Sequence, residues 1–501
     1  MAIGPALPGH AEQVIDATGL AVAPGFIDLH SHTDRTILEN PGAASKILQG
    51  VTTEVVGNCG IGSFPVSAGH HTELEDSFNS LEGDSDIAVT WADCAGFARV
   101  VEKAAPAVNL IPLVAHGALR IAVMGSVDRP PSSGEMAQME ELLAENLRQG
   151  AWGLSTGLIY PPGSYAKIEE LVALGRVLAS YGAIYTSHLR SEEAALHAAV
   201  EEAVQVARAS GVRVEISHLK AVGRPFWGGG AEAAIRLQAL RAEGVDIWAD
   251  QYPYLATSTG LSVLLSGWVH EGGREKMLQR LADPELAGQL RREIAEAVAV
   301  RGDAGTIQIA ATNTPRNRAL CGRTLADVAQ LWQTTPADAV IRLLSEEGGV
   351  VSAVYFSLDE TELETILRRP DVSVGSDGYA MNAELYKNSV THPRSYGTFP
   401  RVLGHFVREK KLLSLETAVR KMTSLPSDIL GMTDRGRIKC GFAADLTLFD
   451  PATVRDNATF IQPHLYPDGI PHVIVNGRMA VKEGRLTGDR PGRVLKKTPT
   501  N

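Results

Sequence analysis

The sequence predicts an α/β protein built on a closed (β/α)8 barrel, with a small β domain beside it and an insertion before the last barrel strand. Three observations carry that expectation. Short β-branched, apolar runs alternate with stretches rich in Ala, Leu and Glu, and eight such runs lie between residues 26 and 377. Their continuous apolar character suits parallel strands covered by helices on one side and a packed interior on the other. No Gly-x-Gly-x-x-Gly follows the first run, which weakens an open dinucleotide-binding sheet and favours closure of eight strands into a barrel.

The runs fall at residues 26–32, 52–59, 110–116, 152–158, 183–188, 212–218, 246–252 and 372–377. Helical patterns over 134–148, 168–180, 191–209 and 231–241 fill the crossovers. The gap from 252 to 372 is too long for one crossover. It predicts an insertion over about 260–370, with helices at 273–299, 324–332 and 337–346 and strand-like runs at 306–311 and 350–356. The run at 306–311 competes for a place in the barrel. Beyond residue 377, helices are predicted at 401–408 and 414–422, followed by alternating patterns at 436–439, 444–449 and 472–477. Residues 423–501 are expected to join residues 1–22 in a small β-sandwich domain, leaving 23–422 as the barrel.

A net charge of −11 argues against a nucleic-acid partner, because basic patches supply that affinity. The four cysteines, Cys59, Cys94, Cys321 and Cys440, are too scattered for a zinc knuckle or a disulfide framework. With no signal-peptide pattern and no apolar stretch of membrane-spanning length, a cytoplasmic protein without membrane partners is expected.

Barrel active sites sit at the carboxyl ends of the strands, so the residues there test for chemistry directly. The first run ends in His30-Ser31-His32. Alternate residues of a strand share a face, which aims both imidazoles at one point. The second run ends in Asn58-Cys59, the third in His116, the fifth in Ser187-His188, the sixth in Ser217-His218 and the last in Ser376-Asp377. Any one of these histidines could be an ordinary buried histidine; scattered positions would not all share this phase. Nitrogen, sulfur and oxygen donors together suit Zn²⁺. Cys59, followed by a glycine, reads as a ligand thiolate rather than a small buried hydrophobe. The other three cysteines read as structural.

Pro24-Gly25-Phe26-Ile27-Asp28-Leu29-His30-Ser31-His32-Thr33-Asp34 resembles the first metal motif of the amidohydrolase superfamily. The stretches at 50–60, 155–163, 187–192, 216–220, 376–378 and 392–394 narrow the resemblance to the N-acyl-D-amino-acid deacylases, or D-aminoacylases. That resemblance implies one tight Zn²⁺ on Cys59, His188 and His218, and a weaker second position lined by His30 and His32. It implies Asp377 as the catalytic base and acid, and substrate contacts from Tyr160, Lys220, Arg394, Tyr252 and Ser258, with Tyr254 a rival for the place of Tyr252. The implied reaction cleaves an N-acyl-D-amino acid, with a neutral or apolar side chain, into a carboxylate and a free D-amino acid. The chemistry agrees independently: zinc polarises a carbonyl, a carboxylate moves protons, and arginine grips a carboxylate through two donors. His116 carries no role in the resemblance and is expected to support the site. Relatives of this kind carry a longer β-rich segment before the first motif, so either the true start lies upstream or the small domain is expected to be incomplete on its N-terminal side, with an exposed edge. Two alternatives stand beside this reading. A cyclic-amide hydrolase of the dihydroorotase or hydantoinase kind would place a bridging lysine where Cys59 stands. A non-catalytic binding protein on the same barrel would lack several ligands.

Overall fold

Eight parallel strands form the barrel of the computed structural model, which describes Gly4, residues 14–82 and residues 87–498. They are β1 (Phe26–Asp28), β2 (Val51–Val56), β3 (Asn109–Pro112, continued by Val114–Ala115), β4 (Gly153–Gly157), β5 (Ile184–His188), β6 (Arg213–Ile216), β7 (Ile247–Gln251) and β8 (Val372–Val374). Neighbours pair in sequence order; β3 changes partner at Leu113, whose N–H still bonds the Val56 carbonyl (2.9 Å). A parallel bridge between Ser31 and Gly378 joins the last strand to the first. Around that seam, Asp377 N donates to the His30 carbonyl (2.8 Å) and His32 N to the Gly378 carbonyl (3.0 Å). The first histidine pair and the last-strand carboxylate are therefore backbone neighbours.

A buried lysine fastens the same seam from below. Lys46 Nζ, with no exposed surface, donates to Asp28 Oδ2 (2.7 Å), Ser376 Oγ (2.7 Å) and the Gly378 carbonyl (3.2 Å), and faces Glu54 Oε2 at 3.2 Å. Asp28 in turn accepts from Ser376 N (2.8 Å). Burial alone would discharge Lys46, but Asp28 and Glu54 outweigh it and raise its pKa above the ordinary lysine value. Lys46→Met would leave buried carboxylates without their cation. It is expected to destabilise the fold by about 3–5 kcal/mol, read from chemical denaturation; a loss near zero would show that the cluster does not hold the seam.

The insertion has its own sheet and core. Thr257–Gly260 and Ile307–Thr312 both pair antiparallel with Val351–Tyr355. This takes the run at 306–311 out of the barrel, where all pairing is parallel. Leu261, Ile294, Ile309, Val328, Leu343 and Tyr355 belong to a hydrophobic cluster separate from that of the barrel. The expected helix over 273–299 is two, Gly273–Leu281 and Ala287–Val300. Pro284 separates them, since it has no N–H and keeps the residue before it out of the helical region.

The small domain is a five-stranded antiparallel sheet in the order Ala21–Pro24, Leu446–Phe449, His472–Val475, Arg478–Lys482, Arg485–Leu486. Alternate residues face opposite ways. Phe449, Val473 and Val475 join the barrel core, with Phe449 tilted against Phe26 at 6.3 Å, while Leu446, Leu448 and Ile474 pack with Ile15, Leu20 and Val22. The layer opposite the sheet is thus the barrel wall. Residues 436–439 are not a strand; they run through an exposed turn where Arg437 pairs with Asp428 (2.7 Å). The helix expected at 401–408 begins earlier, as Arg394–Arg401, and continues past Pro400 in π-helical form over Val402–Glu409. Of the expected N-terminal portion, residues 1–3 and 5–13 lie outside the described residues. Among those described, no helix is long and apolar enough to cross a membrane.

Candidate active site

The residues beyond the strand ends leave the ladder and converge on one pocket. His32, Cys59, Tyr160, His188, His218, Lys220, Tyr252, Ser258, Asp377 and Arg394 all line it, and His30 sits fully buried at its base. Every site residue singled out from the sequence is therefore drawn to one place. Tyr254 is not: its hydroxyl points to the Pro393 carbonyl (3.5 Å) and its ring packs on His392. Tyr252 lines the pocket, with a buried hydroxyl that has no hydrogen-bond partner.

Three of these residues have left-handed backbones: Cys59 (φ 55°), His218 (φ 42°) and Asp377 (φ 51°). Such geometry costs a non-glycine residue of order 1–3 kcal/mol and persists only where the surroundings enforce it. His218 is held by a bond from its N–H to Asp250 Oδ1 (2.8 Å), and Asp377 by the seam. The Cys59 loop lies hard against β4, where a Cβ on Gly157 would collide with the Cys59 carbonyl oxygen.

His30 Nδ1 bonds Asp250 Oδ2 (3.2 Å), which turns Nε2 towards Cys59 Sγ (3.3 Å) and Asp377 Oδ1 (3.5 Å). His218 Nδ1 faces Glu192 Oε1 (3.1 Å) and Lys220 Nζ (2.9 Å), so its Nε2 also reaches Cys59 Sγ (3.5 Å). Donor atoms of His30, Cys59, His218 and Asp377 all lie within 4.8 Å of one another, and His188, Glu192 and His218 form a second, overlapping group. The compact group includes His30 where the resemblance implied His188, whose ring meets that of His218 edge-on at 4.4 Å.

The donor chemistry fits a zinc ion. Burial by itself pushes the Cys59 thiol up, but His30 and His218 outweigh it and hold it well below the usual thiol range, as a thiolate ligand requires. Both ring nitrogens of His188 are buried without a hydrogen-bond partner. Nε2 lies 3.8 Å from Glu192 Oε1, too far for a hydrogen bond, so this dry imidazole calls for a further ligand; burial lowers the His188 pKa against the opposing pull of Glu192 and Cys59.

Asp377 Oδ1 accepts from His32 Nε2 (3.0 Å), and Oδ2 lies 2.7 Å from an Arg394 guanidinium nitrogen. Burial opposes its charge, yet Arg394 and His32 keep the carboxyl well below the usual range, so it is an anion at neutral pH. Arg394 also donates to the Ser258 carbonyl (3.1 Å), and its buried Nε has no partner.

Several residues escaped the sequence reading. Glu192 stands four residues after His188, and Lys220 spends its ammonium on it (2.5 Å) rather than facing the pocket alone. Asp250 fixes both His30 and His218; a carboxylate at a strand end was visible in the sequence. Arg301 lines the pocket from the insertion, paired with Glu193 (3.1 Å) while its buried Nε is unpartnered. Nothing in the sequence singled it out. His116 does not join the ligands. It bonds Glu170 (2.7 Å), which also holds Arg120 (2.5 Å), in a buried triad behind the site. All four cysteines are free; burial pushes Cys94 up to about 12, and Cys440 is exposed, so the latter has no buried structural role.

Comparison with known proteins places this geometry in context. The model of the amidohydrolase family matches residues 13–481. An N-acyl-D-glutamate deacylase of Alcaligenes xylosoxydans xylosoxydans is 38% identical over 496 residues, covering 99% of this chain and 90% of that protein. A D-aminoacylase of the same organism is 37% identical over 500 residues, covering 99% and 92%. The crystal structure of N-acyl-D-glutamate deacylase from Bordetella bronchiseptica, complexed with zinc and a phosphonate inhibitor, matches with a TM-score of 0.81 at 34% identity, over 96% of this chain and 90% of that one.

Proposed function

Because the chain belongs to the amidohydrolase family, as a close relative of the N-acyl-D-amino-acid deacylases, we propose that its pocket hydrolyses the amide bond of N-acyl-D-amino acids with bound zinc. The observation that carries this reading is the convergence of Cys59, His30 and His218 donors on the Asp377 carboxylate in one buried pocket. Cys59, His188 and His218 would hold the firm zinc, with His30 and His32 beside a looser second position. Zinc bound there supplies a Lewis acid for the carbonyl and lowers the pKa of water. Asp377, an anion braced by His32 and Arg394, takes the proton of the attacking water and returns it to the leaving amine. The unpartnered Nε of Arg394 receives the α-carboxylate of the substrate, with the free hydroxyl of Tyr252 and the Ser258 segment beside it. Lys220 and Glu192 orient His218, and Tyr160 closes the pocket against His188. A cyclic-amide hydrolase is disfavoured by Cys59, which takes the central place among the ligands. The free cysteines support a cytoplasmic setting, and the division into barrel, insertion and small domain belongs to the same reading.

The pocket wall also bears on the side chain of the amino acid. A neutral or apolar residue was the expectation from sequence, but Arg301 in the pocket wall favours an acidic one. Purified, zinc-loaded protein should therefore cleave N-acetyl-D-glutamate in preference to N-acetyl-D-methionine, and neither L-isomer. Arg301→Met should cost the acidic substrate about 1.5–3 kcal/mol, the range of a hydrogen bond to a charged group, with little change for the methionine substrate. Absence of zinc together with absence of turnover would refute the hydrolase reading, and equal losses on both substrates would refute the role given to Arg301.

A further inference from the structure

The central pocket has a volume of about 50 Å³, room for about four water-sized groups when one water needs ~10–15 Å³. A second cavity of about 150 Å³ adjoins the first and shares Ile159, Tyr160 and Val263 with it. Its remaining wall includes Pro161, Leu265, Gly267 and His270. None of the cations of the central pocket lines it. His270 is bonded to the Ser262 carbonyl (3.1 Å), and burial lowers its pKa to about 4, which keeps the wall uncharged at neutral pH. The wall is mixed: Ser262 and His270 stand beside Ile159, Pro161, Val263 and Leu265, with no charged side chain among them. A cavity of ~150 Å³ has room for a molecule the size of benzene, about six carbons.

We propose that this second cavity receives the acyl chain, and that the substrates are N-acyl-D-amino acids with unbranched alkanoyl groups of roughly four to eight carbons, its volume matching about six. The assignment rests on the deacylase reading above. Polarity fixes the direction. With the α-carboxylate at Arg394 and the carbonyl over the ligand cluster, the acyl group is the end that faces Ile159, Tyr160 and Val263. Tyr160 is the gatepost: its ring edge meets His188 at 4.9 Å, and its hydroxyl is tied to Thr259 Oγ1 (3.1 Å).

Two measurements on the zinc-loaded enzyme test this. Along acetyl, butanoyl, hexanoyl and decanoyl derivatives of one D-amino acid, kcat/KM should rise about fourfold per methylene as far as hexanoyl, then level off before decanoyl. Gly267→Leu and Gly267→Trp add bulk to the cavity wall at a position where a Cβ meets nothing within 4 Å, and unchanged thermal unfolding of each variant checks that the fold is kept. Both should flatten the series while leaving the acetyl substrate unaffected. Calorimetric titration with hexanoate and acetate provides a readout independent of turnover: hexanoate should bind the parent protein more tightly than acetate and lose that advantage in Gly267→Trp. A flat series in the parent, or a chain-length gain that survives Gly267→Trp, overturns the proposal. If no D-substrate turns over, the deacylase reading fails, and the titration alone decides the cavity.

Discussion

Asp377→Asn is expected to lower kcat/KM for an N-acyl-D-amino acid by about 10²–10⁴-fold and to leave the zinc in place. Asparagine keeps the shape of the side chain and can still meet Arg394 and His32, but it cannot take a proton from water or pass one to the departing nitrogen. The group is well suited to that work as it stands. It is buried, held as an anion by Arg394 and His32, and fixed by a left-handed backbone bonded to His30. Steady-state kinetics and metal analysis on the same preparation separate the two outcomes. Zinc lost along with activity would make Asp377 a ligand first, as its place within 4.8 Å of the donors of His30, Cys59 and His218 allows.

Replacing Cys59 should do the opposite to the metal. Its sulfur is reached by both His30 and His218, at 3.3 and 3.5 Å. Cys59→Ala is expected to strip the firm zinc and to cost more activity than the ~10–100-fold that follows loss of a partner behind a ligand. Cys59→Gly distinguishes a lost ligand from a lost fold. Glycine accepts the left-handed conformation that costs other residues roughly 1–2 kcal/mol, so this variant should fold at least as well as Cys59→Ala while still failing to hold zinc. Full zinc content in both would move the firm site away from Cys59.

The barrel was legible because parallel strands covered on both sides leave unbroken apolar runs, and its site because histidines, a cysteine and an aspartate recur at one phase after those runs. The strand Thr257–Gly260 was not, since Thr-Ser-Thr-Gly has neither apolar alternation nor bulk. Asp250 and Glu192 act on histidines supplied by other strands or other turns, so their roles follow from three-dimensional register. Arg301 follows the helix Ala287–Val300 as an unremarkable basic C-cap residue; only the placement of the insertion over the mouth turns it into part of the pocket wall.

The seam between β1 and β8 has a consequence for assembly. His32 and Asp377 meet across 345 residues of chain, so the complete donor set exists only after the last strand has docked on the first. Contacts this distant in sequence form late and slowly, and metal binding to a site absent from the open chain contributes to folding itself. Capture of zinc by the whole donor set then acts as a latch on the finished barrel, and the rate at which refolding protein takes up the metal reports the closing of the ring.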